Sequence, residues 1–249
     1  MRLGHDVEMF LQDHAGNLKS VIGYINASKH APMQIPDMEQ GFTLQEDNVA
    51  LEYGIPPAAT KEEWNQHCVR VMAKSLEYLP GLSFSRLSAA VFPFDELRTP
   101  NAWIFGCEPD FNAWTNDYNP KPSPAEERLR SAGGHVHIET DADKLSVVKA
   151  FDLFCVVPSV LMDEGELRKE MYGKAGAHRP KSYGVECRSL SNFWIFEEPT
   201  RNWVWDNTAR ALANLGVAET VEKEIQIAIN RNDKQLAREL VDAFQLEVV

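Results

Sequence analysis

The feature that most constrains the fold is a polar–apolar alternation that recurs in separated parts of the chain. It covers residues 5–12 and residues 133–140, where His135, His137 and Glu139 alternate with apolar residues. A period of two places successive side chains on opposite faces of a β-strand. Each segment therefore predicts a strand with one polar face and one face buried in a core.

The rest of the pattern predicts strands and helices in separate blocks. Thr60 and Glu63 form a capping-box motif before a helically spaced apolar series that ends at Leu79. The further predictions are a hairpin between 5–12 and 18–24, loops over 26–40 and 95–124, strands over 41–53, 82–94 and 181–194, a helix over 142–163, and two or three helices from Thr200 onward. This order indicates an α+β domain around an antiparallel sheet.

Composition narrows the classes of partner and the compartment. The 249 residues hold 25 Lys+Arg and 37 Asp+Glu, a formal net charge of -12, so we expect no direct nucleic-acid binding. The acidic N-terminus is unlike a signal peptide, and no run reaches the ~20 apolar residues of a membrane span. Four widely separated cysteines are expected to be reduced thiols in a cytoplasm. The chain shows no linker and is expected to form one domain over residues 1–249.

Paired carboxylates appear on the first predicted strand. Asp6 and Glu8 lie two residues apart and share one strand face, where like charges repel unless a cation or open solvent separates them. The acidic segment 45–52 adds further carboxylates beside a turn. Either segment alone is compatible with a solvated surface, whereas both together provide oxygen ligands for a cation.

Imidazoles and a basic loop complete the candidate chemistry. His135 and His137 form a ligand pair on one strand face, and segment 172–181 is the strongest positive cluster of this acidic chain. Glu186 and Arg188 follow it on another predicted strand. Hard oxygen ligands with imidazole favour Mg²⁺ or Mn²⁺, and the basic residues suit a phosphoryl group.

These segments, in their order, resemble a known enzyme family. LGHDVEMFL, LQEDNVALEYGIPPA, FGCEPDFNAW, AGGHVHIE and YGKAGAHRPKSYGVECRSLSNFW are similar to the phage-encoded carboxylate–amine ligases, the phiEco32-like amidoligases of type 2, within the glutamine synthetase and glutamate–cysteine ligase superfamily. The resemblance extends from Leu3 to Trp194. It implies a glutamine synthetase-like α+β catalytic fold, a curved and mainly antiparallel sheet with helices packed on one face, followed by a helical tail from about residue 200. It also implies a phage origin and a location in the host cytoplasm.

The resemblance also implies roles for individual residues. Six positions match metal ligands: Asp6, Glu8, Asp47, Glu52, His135 and Glu186. Four match nucleotide-phosphate contacts: His137, Lys174, Arg179 and Lys181. Arg179 and Arg188 match cations that stabilise phosphoryl transfer, while Glu46 or Asp110 is a candidate base. Four further positions are candidate substrate contacts: Asp110, Asn112, Ser191 and Asn192.

The implied reaction uses ATP and Mg²⁺, with Mn²⁺ as an alternative ion. A small carboxylate substrate becomes an acyl phosphate, and a small amine then displaces phosphate to form an amide. Three alternatives stay open at this point: a guanidino or amine kinase of the related fold, a metal-dependent amide hydrolase without a nucleotide, and a binding protein without catalysis. The sequence leaves both substrates and the oligomeric state open.

Overall fold

The computed structural model describes residues 1–104, 110–120, 122 and 125–249. Its strands are β1 Arg2–Met9, β2 Leu11–Gln12, β3 Leu18–Lys19, β4 Met33–Gln34, β5 Thr43–Asp47, β6 Ala50–Gly54, β7 Ser83–Phe84, β8 Ala89–Val91, β9 Phe111–Asn112, β10 Asp117–Tyr118, β11 Leu129–Ser131, β12 Gly134–Glu139, β13 Ala177–Lys181 and β14 Gly184–Cys187. Nine of them form one sheet in the order β10-β9-β13-β14-β12-β1-β6-β5-β4. Every described pairing in this sheet is antiparallel.

Helices supply the second layer. They are α1 Lys61–Leu76, α2 Lys144–Phe151, α3 Val157–Met162, α4 Glu198–Ala213, α5 Glu222–Asn230 and α6 Lys234–Phe244. A wide π-helical turn, Asp152–Val156, joins α2 to α3 into one continuous helical stretch. By length and composition alone this stretch could cross a membrane, but most of it is buried inside the protein. It is therefore a core helix, which packs against β13, β14 and α4.

The alternation along β1 separates the two faces of the sheet. Leu3, Val7 and Met9 are fully buried in the main core together with side chains of the helices. Trp64 of α1 stacks on Trp194 beneath the sheet with ring centroids 5.4 Å apart. The helices thus cover the apolar face, and burial of this face is the main source of stability.

The structure confirms the main sequence predictions for the fold. The mixed α/β class, the mainly antiparallel sheet, strand β12, the long helix 144–162 and the C-terminal helices are all present. Helix α1 begins as predicted, because the Thr60 hydroxyl accepts a hydrogen bond from the Glu63 backbone N–H at 3.1 Å. The glutamine synthetase-like topology and the single-domain organisation stay predictions.

Four strand predictions were wrong in extent. The predicted strand 41–53 is a hairpin of β5 and β6, since Asn48 turns the chain with φ of 55°. The predicted strand 181–194 contains only β14 and the last residue of β13. Within 18–24 and 82–94, only β3, β7 and β8 are extended and paired. The other residues of these two segments form turns, a short 3₁₀ helix and irregular backbone.

Candidate functional site

One face of the sheet gathers the predicted charged residues. The register pairs Asp6 with His135, Glu8 with Glu52, and His137 with Glu186. Paired residues lie on the same face of a sheet. The same register places Arg179 beside Glu186, and Asp47 ends β5 on this face. The prediction that these groups share a face is therefore confirmed, whereas their roles stay predictions.

The acidic and imidazole groups fall into two clusters of potential ligands. In the first, ligand atoms of Glu8, Asp47 and Glu52 lie within 4.8 Å of one another. In the second, ligand atoms of Asp6, His137 and Glu186 meet the same distance. Both sets suit a hard divalent cation, and the first offers oxygen ligands alone. The expected ligand His135 lies close to the second cluster, with Nδ1 3.3 Å from Asp6 Oδ1.

A cavity of about 230 Å³ is lined by all three residues of the first cluster and by Asp6 of the second. Its walls combine the acidic residues with cations from three parts of the chain. The lining residues are Asp6, Glu8, Lys29, Gln45, Asp47, Glu52, His135, Arg179, Lys181 and Arg188. The cavity thus brings carboxylates and cationic side chains together, as a metal–phosphate complex requires.

Burial, together with like-charge crowding, raises the pKa values of two carboxylates that line the cavity. Burial, followed by the charge of Glu8, raises the pKa of Asp47 to about 6. Burial and the charges of Asp6 and Asp47 raise the pKa of Glu52 well above its usual value. The Gln45 side-chain amide donates to Glu52 at 2.6 Å, which offsets only part of this repulsion. A bound cation would remove the remaining repulsion.

An imidazole network holds the second cluster. Burial alone raises the pKa of Asp6, but the neighbouring imidazoles of His137 and His135 outweigh it and hold this pKa well below its usual range. His137 Nε2 lies 3.0 Å from Asp6 Oδ1, and the Tyr183 hydroxyl lies 2.7 Å from His137 Nδ1. This geometry fits a Tyr183 hydroxyl that donates to Nδ1 while Nε2–H donates to Asp6.

Cations surround the fully buried carboxylate of Glu186. Lys181 Nζ lies 2.7 Å from it, Arg179 lies 3.8 Å away, and Arg188 makes a direct charged hydrogen bond. Burial and Asp6 oppose ionisation of Glu186, but Arg188 and the imidazoles prevail and lower its pKa to about 2. Asp110 orients the same arginines, because its Oδ1 lies 2.6 Å from Arg188 Nε and 3.8 Å from Arg179.

Two further cavities lie near this site. A small cavity of about 50 Å³ shares Glu8, Asp47, His135 and Arg188 with it and is also lined by Arg168. A larger groove of about 290 Å³ is lined by His137 of the second cluster and by Tyr183. The remaining lining of this groove is Arg2, Gly4, Ile55, Pro57 and Glu139. The charged cavity thus shares a wall with a small basic recess, whereas the groove is linked to the site through His137.

The structure places Glu46 away from the predicted chemistry. It lies between Gln45 and Asp47 on β5, so its side chain projects to the other face of the sheet. One of its carboxylate oxygens accepts hydrogen bonds from the backbone N–H groups of Gly23, Ile25 and Asn26 at 2.9–3.0 Å. The carboxylate fastens this loop and has no contact that would let it act as a base in the cavity.

Three candidate substrate contacts have structural partners instead. The Asn192 amide is fully buried and donates to the backbone oxygen of Glu8 at 3.0 Å. Ser191 caps the next turn by accepting from the Phe193 N–H, and Asn112 accepts from the Trp114 N–H at 2.8 Å. None of these three described side chains lines the charged cavity.

Lys174 also differs from the expectation. It lies in the turn before β13, outside the described lining of the charged cavity, and partial burial lowers its pKa. Conversely, sequence reasoning missed Lys29 and Arg168. Lys29 lies in a loop without periodicity, and Arg168 lies in the short 3₁₀ helix Glu166–Glu170. A basic residue in an otherwise acidic chain was the only available signal.

Comparison with known families adds an independent observation. Residues 128–248, just under half of the chain, match the family described as "Phage phiEco32-like COOH.NH2 ligase-type 2". This stretch is similar to that ligase family. It contains β12, β13 and β14 with His135, His137, Glu186 and Arg188, so the family resemblance is confirmed. It also contains α4, α5 and α6, which the resemblance based on sequence motifs did not include.

The name of the matched family is that of an enzyme that joins a carboxylate to an amine. The carboxylates of β1, β5 and β6 lie outside the matched stretch, yet the sheet register brings them against its histidines. No curated protein matches the chain.

Proposed function

We propose that the protein is an ATP- and Mg²⁺-dependent carboxylate–amine ligase that works through an acyl phosphate. The observation that carries this proposal is the cavity in which the first ligand cluster and Asp6 of the second share the lining with Lys181, Arg179 and Arg188. A hydrolase without a nucleotide would not need these cations beside the carboxylates. Triphosphate binding does, because its charge must be neutralised from both sides.

The donor set fits a hard divalent cation. Glu8, Asp47 and Glu52 would hold one ion and Asp6, His137 and Glu186 a second, with His137 Nε2 giving up its proton. Bound there, Mg²⁺ supplies charge neutralisation for the phosphate oxygens. The raised pKa values of Asp47 and Glu52 support this assignment, since the protein alone leaves their repulsion uncompensated.

The residues then have distinct tasks in two steps. In the first, a substrate carboxylate oxygen bonds to the γ-phosphorus as the bond to the β–γ bridging oxygen breaks and ADP leaves. Arg179 and Arg188 stabilise the charge on the transferred group. In the second, the amine nitrogen bonds to the acyl carbon, the bond to the phosphate oxygen breaks, and the amine loses a proton. Asp110 is engaged with both arginines, so we assign it to orient them and not to take this proton.

The two neighbouring cavities would bind different substrates. The groove at His137 and Tyr183 suits the nucleoside part of ATP, since Gly4 leaves its floor open and the Tyr183 ring forms one side. The basic recess suits the acid substrate. Arg168 is almost fully buried there, and its described partners are the backbone oxygens of Arg188 and Ser189. A substrate carboxylate would provide the counter-charge.

The deciding experiment is ATP turnover with Mg²⁺ against a matrix of amino acids and amines. Released phosphate and product masses are recorded together. Phosphate release with a new mass equal to acid plus amine minus water would support the ligase. A phosphorylated substrate without free phosphate would instead support the kinase, and amide cleavage without ATP would support the hydrolase.

A matched pair of variants ties the result to the cavity. Glu8→Gln removes one ligand charge from the first cluster, and Glu62→Gln changes an exposed carboxylate on α1. We expect Glu8→Gln to abolish turnover and Glu62→Gln to retain it. Equal turnover in both variants would contradict the assigned site. Absence of nucleotide binding in the unmodified protein would overturn both the ligase and the kinase functions.

A further inference from the structure

We propose that Asp152 is a positioning residue that sets Arg179 and Arg188 against the charged cavity from the opposite side of the sheet. Its carboxylate is fully buried and begins the π-helical turn between α2 and α3. This assignment rests on the proposed function, because both arginines are there assigned to the transferred phosphoryl group. Asp152 itself lies outside the cavity.

The carboxylate of Asp152 joins three segments that are distant in sequence. Oδ2 accepts hydrogen bonds from the Trp114 indole N–H at 2.8 Å and from the Gly176 backbone N–H at 2.6 Å. Ser189 Oγ lies 3.3 Å from Oδ1 and 2.9 Å from the Lys174 carbonyl oxygen, so its single proton serves one of them at a time. A buried carboxylate with several donors fixes its partners firmly.

Two of these segments lead to arginines that line the cavity, and the third leads to Asp110, which contacts both arginines. Gly176 precedes β13, which carries Arg179 three residues further on. Ser189 follows Arg188 directly, and the Trp114 segment lies four residues after Asp110. Asp110 in turn contacts both arginines. A displacement of the Asp152 anchor would therefore move all three groups together.

The Gly176 turn is held too tightly to absorb such a displacement. Gly176 has φ of 76°, and a Cβ there would lie 2.7 Å from Asn112 Oδ1. At the other end of the turn, half-buried Lys169 donates to the Gly173 carbonyl oxygen at 2.5 Å. The Ala175 N–H donates to Asn230 Oδ1 at 2.8 Å. The sequence predicted a basic loop here, and the structure shows a turn whose backbone is held by several side chains.

The π-helical turn explains how the helix delivers this carboxylate. A π-helical turn contains about one residue more than an α-helical turn, which rotates the side chains that follow relative to those of α2. Such turns occur mostly as single turns inside α-helices, frequently at functional sites. A buried carboxylate costs free energy compared with an apolar residue of the same shape. Burial raises the pKa of Asp152 to about 7, which is the measure of this cost. A purely structural helix core would not need the group.

The test compares Asp152→Ala and Asp152→Asn with Cys155→Ala. Cys155 is buried on the same π-helical turn but contacts Thr208 Oγ1 rather than the Gly176 turn. Affinity for Mg²⁺ with ADP is measured by calorimetry, and backbone hydrogen exchange is measured over residues 173–181. We expect Asp152→Ala to weaken ADP binding roughly tenfold. Asp152→Asn should recover part of this loss because its amide oxygen still accepts, and Cys155→Ala should stay within about twofold.

Hydrogen exchange separates this proposal from the proposed function. If the unmodified protein binds no ADP, the proposed function fails, and faster exchange over 173–181 in Asp152→Ala alone would still support the positioning role. Unchanged exchange in that segment would overturn it. So would equal weakening of ADP binding by Asp152→Ala and Cys155→Ala, since a general loss of packing would then explain both.

Discussion

The two faces of strand β1 differ in almost every physical respect. Leu3, Val7 and Met9 point into a core covered by helices, where they are fully buried. Asp6 and Glu8, between them in sequence, point into a cavity with other carboxylates and histidines. One face lowers the free energy of the folded state, while the other raises it by crowding like charges. This difference is the physical basis of the proposal that the polar face binds a charged ligand.

The largest effect is expected on the apolar face. Trp64 stacks on Trp194, and its indole N–H donates to the Arg201 carbonyl oxygen at 3.1 Å. Trp64→Ala should lower the free energy of unfolding by about 4 kcal/mol, because it leaves a large void and removes the hydrogen bond of the indole N–H. Urea unfolding measures this loss. Val69→Ala, on the exposed side of the same helix, should change it by less than about 0.5 kcal/mol, and a comparable loss there would contradict the contrast.

This contrast also explains what the sequence could predict. The period of two on β1 and β12 identifies both faces, since inward and outward residues differ so strongly in polarity. The hairpin at Asn48 was missed because 41–54 contains no glycine at the turn, and Asn adopts the required positive φ. Alternation places Asp47 on the polar face of the sheet. The same alternation places Glu46, one residue away, on the opposite face.

The features that the sequence did not predict depend on long-range contacts. Asn192 was assigned to substrate, but its amide donates to the backbone of Glu8, 184 residues away in sequence. Asp152 carries no local pattern that predicts its contacts with Trp114 and Gly176. Arg168 became a candidate only once its burial beside Arg188 was visible. Contacts between distant segments are set by the fold, so local periodicity cannot supply them.

The second effect is expected on the polar face and should leave folding intact. Asp47→Asn removes a ligand charge from the first cluster while keeping the shape of the side chain. ATP turnover should fall about 100-fold, which corresponds to about 2.7 kcal/mol of transition-state stabilisation. Its neighbour Glu46 provides the matched control, because Glu46→Gln alters a carboxylate on the opposite face. Loss of turnover in Glu46→Gln alone would restore that residue as the candidate base.

The third effect sharpens the claim that the polar face is destabilising without a cation. Glu52→Gln removes one of the crowded charges, so the protein should gain about 2 kcal/mol in the free energy of unfolding in the presence of EDTA. The stabilisation that Mg²⁺ gives to the unmodified protein should disappear in this variant. Thermal unfolding with and without Mg²⁺ measures both.

Glu63→Gln is the control for that gain. The Glu63 carboxylate accepts from the Ala59 N–H at the start of α1, away from the cluster, so this variant should not become more stable. Equal stabilisation by both variants would reflect only the lower net charge of the chain, not the geometry of the cavity.

The last effect concerns Asp152, a buried carboxylate on the helical side of the sheet. Asp152 has a pKa raised to about 7 by burial, against 3.8 in an exposed chain. Between these values the unfolded chain has lost the proton that the folded protein retains, so stability falls as pH rises from about 4 to 7. The slope from this group is at most about 1.4 kcal/mol per pH unit. Burial lowers the pKa of the nearby Lys169 to about 7, so that group changes the stability only above this pH range.

Urea unfolding at pH 5, 6 and 7 should show a shallower dependence of stability on pH in Asp152→Asn than in the unmodified protein. Identical slopes would mean that Asp152 is ionised at all three pH values. Its negative charge would then be stabilised by its hydrogen-bond donors alone.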